Sequence, residues 1–232
     1  MDETAVIVEN SARRPLSATV GSLLEDAEHV RLAVGYLFVE GLVPLIGVLD
    51  AAPCVDLMIG NVVNRLTDEQ LRESGVLPAI AGSGDEEFAA NFRDARNRAA
   101  TETALNLRET IGKLQHSSQN RDLLIAMANW IATGKLRVRL STRYRLHAKV
   151  TIAEYRQGHP NAPGRAIMGT SNVTMPLASS ALSAASNLDV LLQGKHNCDR
   201  LIAWFEHHWS EAQDFHRELF DVLGQTWPLG SP

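Results

Sequence analysis

One stretch of the chain gathers residue types that can do chemistry on a phosphate. Residues 146 to 153 read Leu-His-Ala-Lys-Val-Thr-Ile-Ala, an alternation that predicts a strand. The period of two puts His147, Lys149 and Thr151 on one face, and Ala148, Val150 and Ile152 on the other. An imidazole and an ammonium thus share a polar face, backed by an apolar one. A second predicted strand, Arg165 to Met168, runs into Gly169-Thr170-Ser171-Asn172, a small polar turn able to present hydroxyls, an amide and backbone N–H groups to an anion. In a third, Asn187 and Asp189 share a face, with Leu188 and Val190 opposite. Nucleophile, cation, anion cradle and carboxylate are the parts of a phosphoryl-transfer site that needs no metal.

These residues resemble a known signature. His147-x-Lys149 followed by Gly169-Thr170-x-Asn172 looks like the H-x-K … G-[S/T]-x-N pattern of the phospholipase D superfamily. The classical acid seven residues after the histidine is Asp; here it is Glu154, which alternation turns away from His147 and Lys149. A hairpin loop, 156 to 164, lengthens the spacing to the glycine. VRLAVGYLFVEG (Val30 to Gly41) and the C-terminal DRLIAWFEHHWSEAQDFHRELFDVL resemble the phospholipase D-like nuclease domain that precedes superfamily-two helicase motors.

The resemblance implies a phosphodiesterase, here an endonuclease on DNA. Its catalytic residues are His147, Lys149, Asn172 and Asp189. Thr170, Ser171 and Asn187 take the phosphate, and neither metal nor cofactor is used. It also implies that the chain is the N-terminal fragment of a longer protein, with helicase motor domains on the same or a partner chain. Members use two H-x-K histidines about a pseudo-twofold axis; one attacks phosphorus and the other protonates the leaving oxygen. Of the eight histidines only His147 has Lys two places on. A single-motif chain therefore implies a homodimer. Asp189 would hydrogen-bond the far ring nitrogen of His147 and fix its tautomer.

The remaining features narrow the classes. Net charge is −5, which argues against a large non-specific nucleic-acid surface. Yet Lys135, Arg137, Arg139, Arg143, Arg145 and Lys149 lie within fifteen residues without an acid, and this run leads into His147. Arg137, Arg139, Arg143 and Arg145 are the expected DNA contacts; a solvated edge strand carrying protective charges is the alternative. Two cysteines cannot make a disulfide framework, and the N-terminus lacks a signal-peptide pattern, so a cytoplasmic location is expected. No apolar run approaches the ~20 residues of a membrane span. No two histidines stand at i,i+4 spacing around a carboxylate, so no metal site is expected. A lipid phosphodiesterase and an inert dimerisation or DNA-docking module are the other readings.

The elements that must position these residues suggest one α/β domain over 1–232, with a mixed, largely parallel sheet flanked by helices. Spacing predicts a short strand at Ala5 to Val8, a helix from Leu16 to Glu28 and a strand from Val30 to Tyr36. A helix from Val39 to Ala51 and a parallel strand from Cys54 to Gly60 follow. Asn61 and Asn64 lie just past that strand, where ligands gather in α/β sheets, but they read more readily as turn-forming asparagines than as phosphate ligands; a short helix is expected at 67–74. Two helical stripes predict an insertion over 84–133, with Ser117 or Ser118 as a cap, and then a strand from Leu136 to Leu140. Residues 196–223 read as one long amphipathic helix or a helix pair, with Leu201, Phe205, His208, Ala212, Phe215 and Leu219 on one stripe.

Overall fold

The computed structural model describes residues 3–8, 16–60, 86–143, 146–174 and 188–226. Its strands are β1 (Thr4–Val8), β2 (His29–Val34), β3 (Cys54–Gly60), β4 (Leu136–Ser141), β5 (Val150–Glu154), β6 (Gly164–Gly169), β7 (Asp189–Gln193) and β8 (Gln213–Asp214). They form one sheet in the order β1-β7-β6-β5-β2-β3-β4-β8. The sheet is mixed, as expected, but parallel pairing is confined to β2, β3 and β4. Every other junction is antiparallel, so "largely parallel" holds for the centre alone. Connectivity is one reason: β5 and β6 are joined through residues 155–163 alone, too short a link for a parallel crossover.

Six α-helices are described: α1 (Leu16–Leu24), α2 (Ile46–Ala51), α3 (Glu86–Gly112), α4 (Ser118–Ala132), α5 (Lys195–Glu211) and α6 (His216–Thr226). β2 and β3 are nearly continuous apolar runs because both of their faces are covered. On one face, Leu32, Val34, Leu57, Ile59, Val138 and Ile167 of the sheet pack with α1, α3, α4 and α6. On the other, Ala33, Met58, Val150, Ile152 and Ala166 lie under Phe205 and Trp209 of α5.

Several boundaries differ from the expected ones. α1 stops at Leu24 rather than Glu28, and Asp26 turns the chain at φ 60°. The segment Val39–Leu45 is a 3₁₀ helix, with Pro44 inside it, before α2 begins. The two helices expected within 84–133 form, and the Ser117 hydroxyl caps α4 by accepting from the N–H of Asn120 at 3.1 Å. The C-terminal stripe corrects most. It is a helix pair broken by β8, which adds to the edge of β4. Phe205 of α5 belongs to one face of the sheet, while Phe215 and Leu219 belong to the other. The chain rounds the sheet edge between them. Asn61, Asn64 and the helix expected at 67–74 lie outside the described residues.

Candidate active site

His147 and Lys149 precede β5 rather than lying within it, because the strand starts at Val150. The predicted alternation survives this shift. Val150 and Ile152 enter the core under α5, while Lys149 and Thr151 line a narrow cavity on the opposite face with Ser171 and Asp189, floored by Leu16 and Val20 of α1. Glu154, as alternation required, looks to the α5 side, where it pairs with Arg31.

Two glycines let the motif sit where it does. Gly35 follows β2 and Gly60 ends β3. A Cβ on Gly60 would lie 2.5 Å from the Gly35 carbonyl oxygen and 3.0 Å from that of Leu146; one on Gly35 would lie 3.0 Å from the same Leu146 oxygen. The backbone at Leu146 and His147 therefore crosses the C-terminal ends of two parallel strands, at the rim where α/β sheets collect ligands. His147 is exposed, and its ring forms no hydrogen bond among the described residues. The Lys149 ammonium reaches back to donate to the His147 carbonyl at 3.3 Å.

The Gly169–Asn172 turn is tied down on both sides. The Gly169 N–H donates to the Lys149 carbonyl at 3.1 Å, which docks the turn directly beside the motif. The Thr170 hydroxyl accepts from the N–H of Leu188 at 2.9 Å, and the Ser171 N–H donates to Oδ1 of Asp189 at 3.0 Å. Asn172 donates through Nδ2 to the Tyr36 carbonyl at 2.7 Å. Its Oδ1 accepts from the N–H and the hydroxyl of Thr174 at 3.0 and 2.8 Å. Thr174, fully buried, in turn accepts from the N–H of Phe38 at 3.1 Å. The Tyr36 hydroxyl donates to Oδ1 of Asn106 on α3 at 2.6 Å. Asn172 thus fastens its turn to the loop after β2.

Asp189 is 1% exposed, and its carboxylate serves the turn rather than the imidazole. Its Oδ2 has no hydrogen-bond partner among the described residues, so the expected bond to His147 is not formed in this structure. The sequence reading missed Gly35, Gly60, Tyr36 and Thr174. The Gly-Tyr pair lies inside VRLAVGYLFVEG, which was the available signal.

The arginine run does not point freely to solvent. Arg137 donates twice to Asp56, at 2.6 and 2.7 Å, and Asp56 is 2% exposed. Burial pushes the Asp56 carboxyl up, but hydrogen bonds from His29 and Arg137 outweigh it and hold the group below the usual carboxylate range. Arg139 donates to the Trp209 carbonyl at 2.6 Å and lies over that indole, 5.0 Å from its centroid. Arg143 pairs with Glu211 of α5. The run's first duty is to fasten β4 to β3 and α5. Arg145 and Asn187 lie outside the described residues.

Comparison with solved structures places this chain beside Nuc from Salmonella typhimurium, a phospholipase D family member. The match has 14% identity and a TM-score of 0.47, covering 92% of this chain and 98% of that one. NucT from Helicobacter pylori matches at 9% identity and a TM-score of 0.45, over 92% and 100% of the two chains. TrmBL2, an archaeal chromatin protein, matches at 10% identity and 0.42, over 90% of this chain and 53% of that one. No protein-family model and no curated protein matches the sequence. At these scores and identities, the functional reading rests on this chain's own residues. No helix among the described residues is long and apolar enough to cross a membrane.

Proposed function

We propose that the chain is a phosphodiesterase of the phospholipase D type that cuts DNA through a phosphohistidine. The observation that carries this reading is the docking of the Gly169 turn onto Lys149. It sets an exposed imidazole, an ammonium and a polar turn at one rim of the sheet, and Lys149, Ser171 and Asp189 line one cavity.

In the proposed reaction a ring nitrogen of His147 attacks phosphorus, a P–N bond forms, and the P–O bond to the leaving group breaks. The leaving oxygen takes a proton from His147 of a second copy. That imidazole, now neutral, removes a proton from water, and the resulting oxygen attacks phosphorus and releases His147. Lys149 and Thr170 take the non-bridging oxygens, where negative charge builds in the transition state. Ser171 and Asn172 shape the turn that receives them, and Asn187 is the further phosphate-binding residue proposed from the sequence. The unbonded Oδ2 of Asp189 is the acceptor left for an imidazolium once substrate reorders the site. Arg143, at the site end of β4, leads the DNA in, and Arg139 and Arg145 are the further contacts proposed from the sequence. Helicase motor domains are the proposed partners in a longer protein or complex.

The test is plasmid nicking in excess EDTA by wild type and His147→Ala. Nicking by wild type alone, with the labelled phosphate trapped on His147 after acid-free quenching, is the expected result. Activity that disappears with chelator and returns with Mg²⁺, or that survives His147→Ala, would overturn it. A protein that binds DNA and dimerises without nicking would be the docking module, the reading favoured by Asp189 facing Ser171 instead of His147.

A further inference from the structure

A second cluster lies at the opposite end of the same strands. β2 and β3 run parallel with His29 opposite Cys54 and Arg31 opposite Asp56. The register therefore lines His29, Cys54 and Asp56 along the sheet face that α5 covers. One donor atom from each lies within 4.8 Å of the others. Nε2 of His29 is 2.8 Å from Oδ2 of Asp56, and Nδ1 faces Oε1 of Glu154 on β5 at 3.2 Å. His29 begins β2, whereas the His147 backbone crosses its far end, about 20 Å away at the usual rise per residue.

We propose that His29, Cys54 and Asp56 bind one zinc ion, with Glu154 as the positioning residue that accepts from the far nitrogen of His29. An imidazole, a thiolate and a carboxylate are a borderline-soft donor set that suits zinc rather than magnesium or calcium. A metal-bound histidine characteristically donates its other N–H to a carboxylate, and Glu154 is already in that place. The charges also fit. Asp56, Glu154 and Glu206 face Arg31 and Arg137 around the cluster, leaving one net negative charge, which a divalent ion with one thiolate cancels. Arg137 donates to both oxygens of Asp56, which keep lone pairs for a metal, but it also bonds the Cys54 thiol, so an entering ion displaces the guanidinium from Cys54. Cys54 and His29 are only half-buried, so water completes a fourth position. The ion would clamp the start of β2 to β3 and, through Glu154, to β5. It takes no part in the chemistry proposed for His147.

The experiment uses the whole chain stripped with chelator. Titration with Co²⁺ should saturate at one equivalent, with a thiolate-to-cobalt charge-transfer band in the near ultraviolet. Cys54→Ser and His29→Gln should each lose that band, and Cys198→Ser should keep it. Glu154→Gln should weaken Zn²⁺ binding by ~10–100-fold. Zinc in hundredfold excess over its Kd should raise Tm by about 5–10 °C in wild type and not in Cys54→Ser. A wild-type protein without the band, a band that survives Cys54→Ser, or a Tm indifferent to zinc would each overturn the proposal. DNA nicking at a temperature below the stripped protein's Tm is read separately, and its presence or absence does not bear on metal binding.

Discussion

A methyl group on Gly169 would collide with Oδ1 of Asp189 and the carbonyl oxygen of Leu188, so Asp189 can lie under the turn only because that residue has no side chain. Gly169→Ala should therefore cost about 1–3 kcal/mol, measured by urea unfolding. It should also lower kcat by more than stability explains, since the turn would lift from Lys149. Unchanged turnover at full occupancy would separate the turn from the chemistry. Cys198 gives a pH signature. It is fully buried and donates to the Gly164 carbonyl at 2.9 Å; burial pushes its thiol from 9.0 up to about 11. A group raised in the folded state contributes nothing adverse while both states are protonated. As pH rises from 9 towards 11 the unfolded thiol ionises first, and stability falls by up to roughly 3 kcal/mol. Cys198→Ser should flatten that alkaline limb; a limb of the same depth in the variant would assign it to other groups. At this scale the sequence revealed His147, Lys149 and the Gly169 turn, because their spacing is local. It did not reveal that Asn172 and Asp189 would be turned into the scaffold, since their partners, Tyr36 and Ser171, are set by tertiary contacts.

β4 alternates Leu136, Val138 and Leu140 against Arg137 and Arg139, and the alternation was legible as a strand with one basic face. What that face meets was not. Arg137 holds a buried acid, whereas Arg143 lies beyond the strand and pairs with the half-buried Glu211. The two should therefore separate experimentally. Arg137→Ala should lower stability by about 1–3 kcal/mol through Asp56 left short of a partner, and leave the salt dependence of DNA binding as it was. Arg143→Glu should instead reduce the salt slope by about one or more, beside a smaller loss of stability from the broken Glu211 pair. Equal slopes in both variants would reduce the run to fold support. The C-terminal helices show the limit of periodicity in another way. Phe205 and Phe215 fit one stripe, but a stripe says only that a face is apolar, and two residues of β8 send the halves to opposite sides of the sheet. Likewise, His29, Cys54 and Asp56 have no helical spacing. Strand register alone makes them neighbours.

The whole molecule carries one H-x-K, and in-line displacement needs an acid opposite the nucleophile. Mixing His147→Ala with wild type, after subunit exchange, should leave activity following the square of the wild-type fraction, about one quarter at equal amounts for a dimer whose site is shared. A linear fall would mean that each chain works alone. The fold class was legible because β2 and β3 are too apolar to be anything but a sheet centre, while the antiparallel half rests on pairings whose direction spacing does not encode. That half also sets the order of events during synthesis. β5 meets β6 across a hairpin, but it meets β2 through pairs such as Ala33 with Val150, far apart in the chain, and its apolar side is covered by Phe205 and Trp209, later still. Contacts of such separation form late. A chain still emerging from the ribosome therefore carries His147 and Lys149 before Phe205 and Trp209, which cover the strand that follows them, have been made.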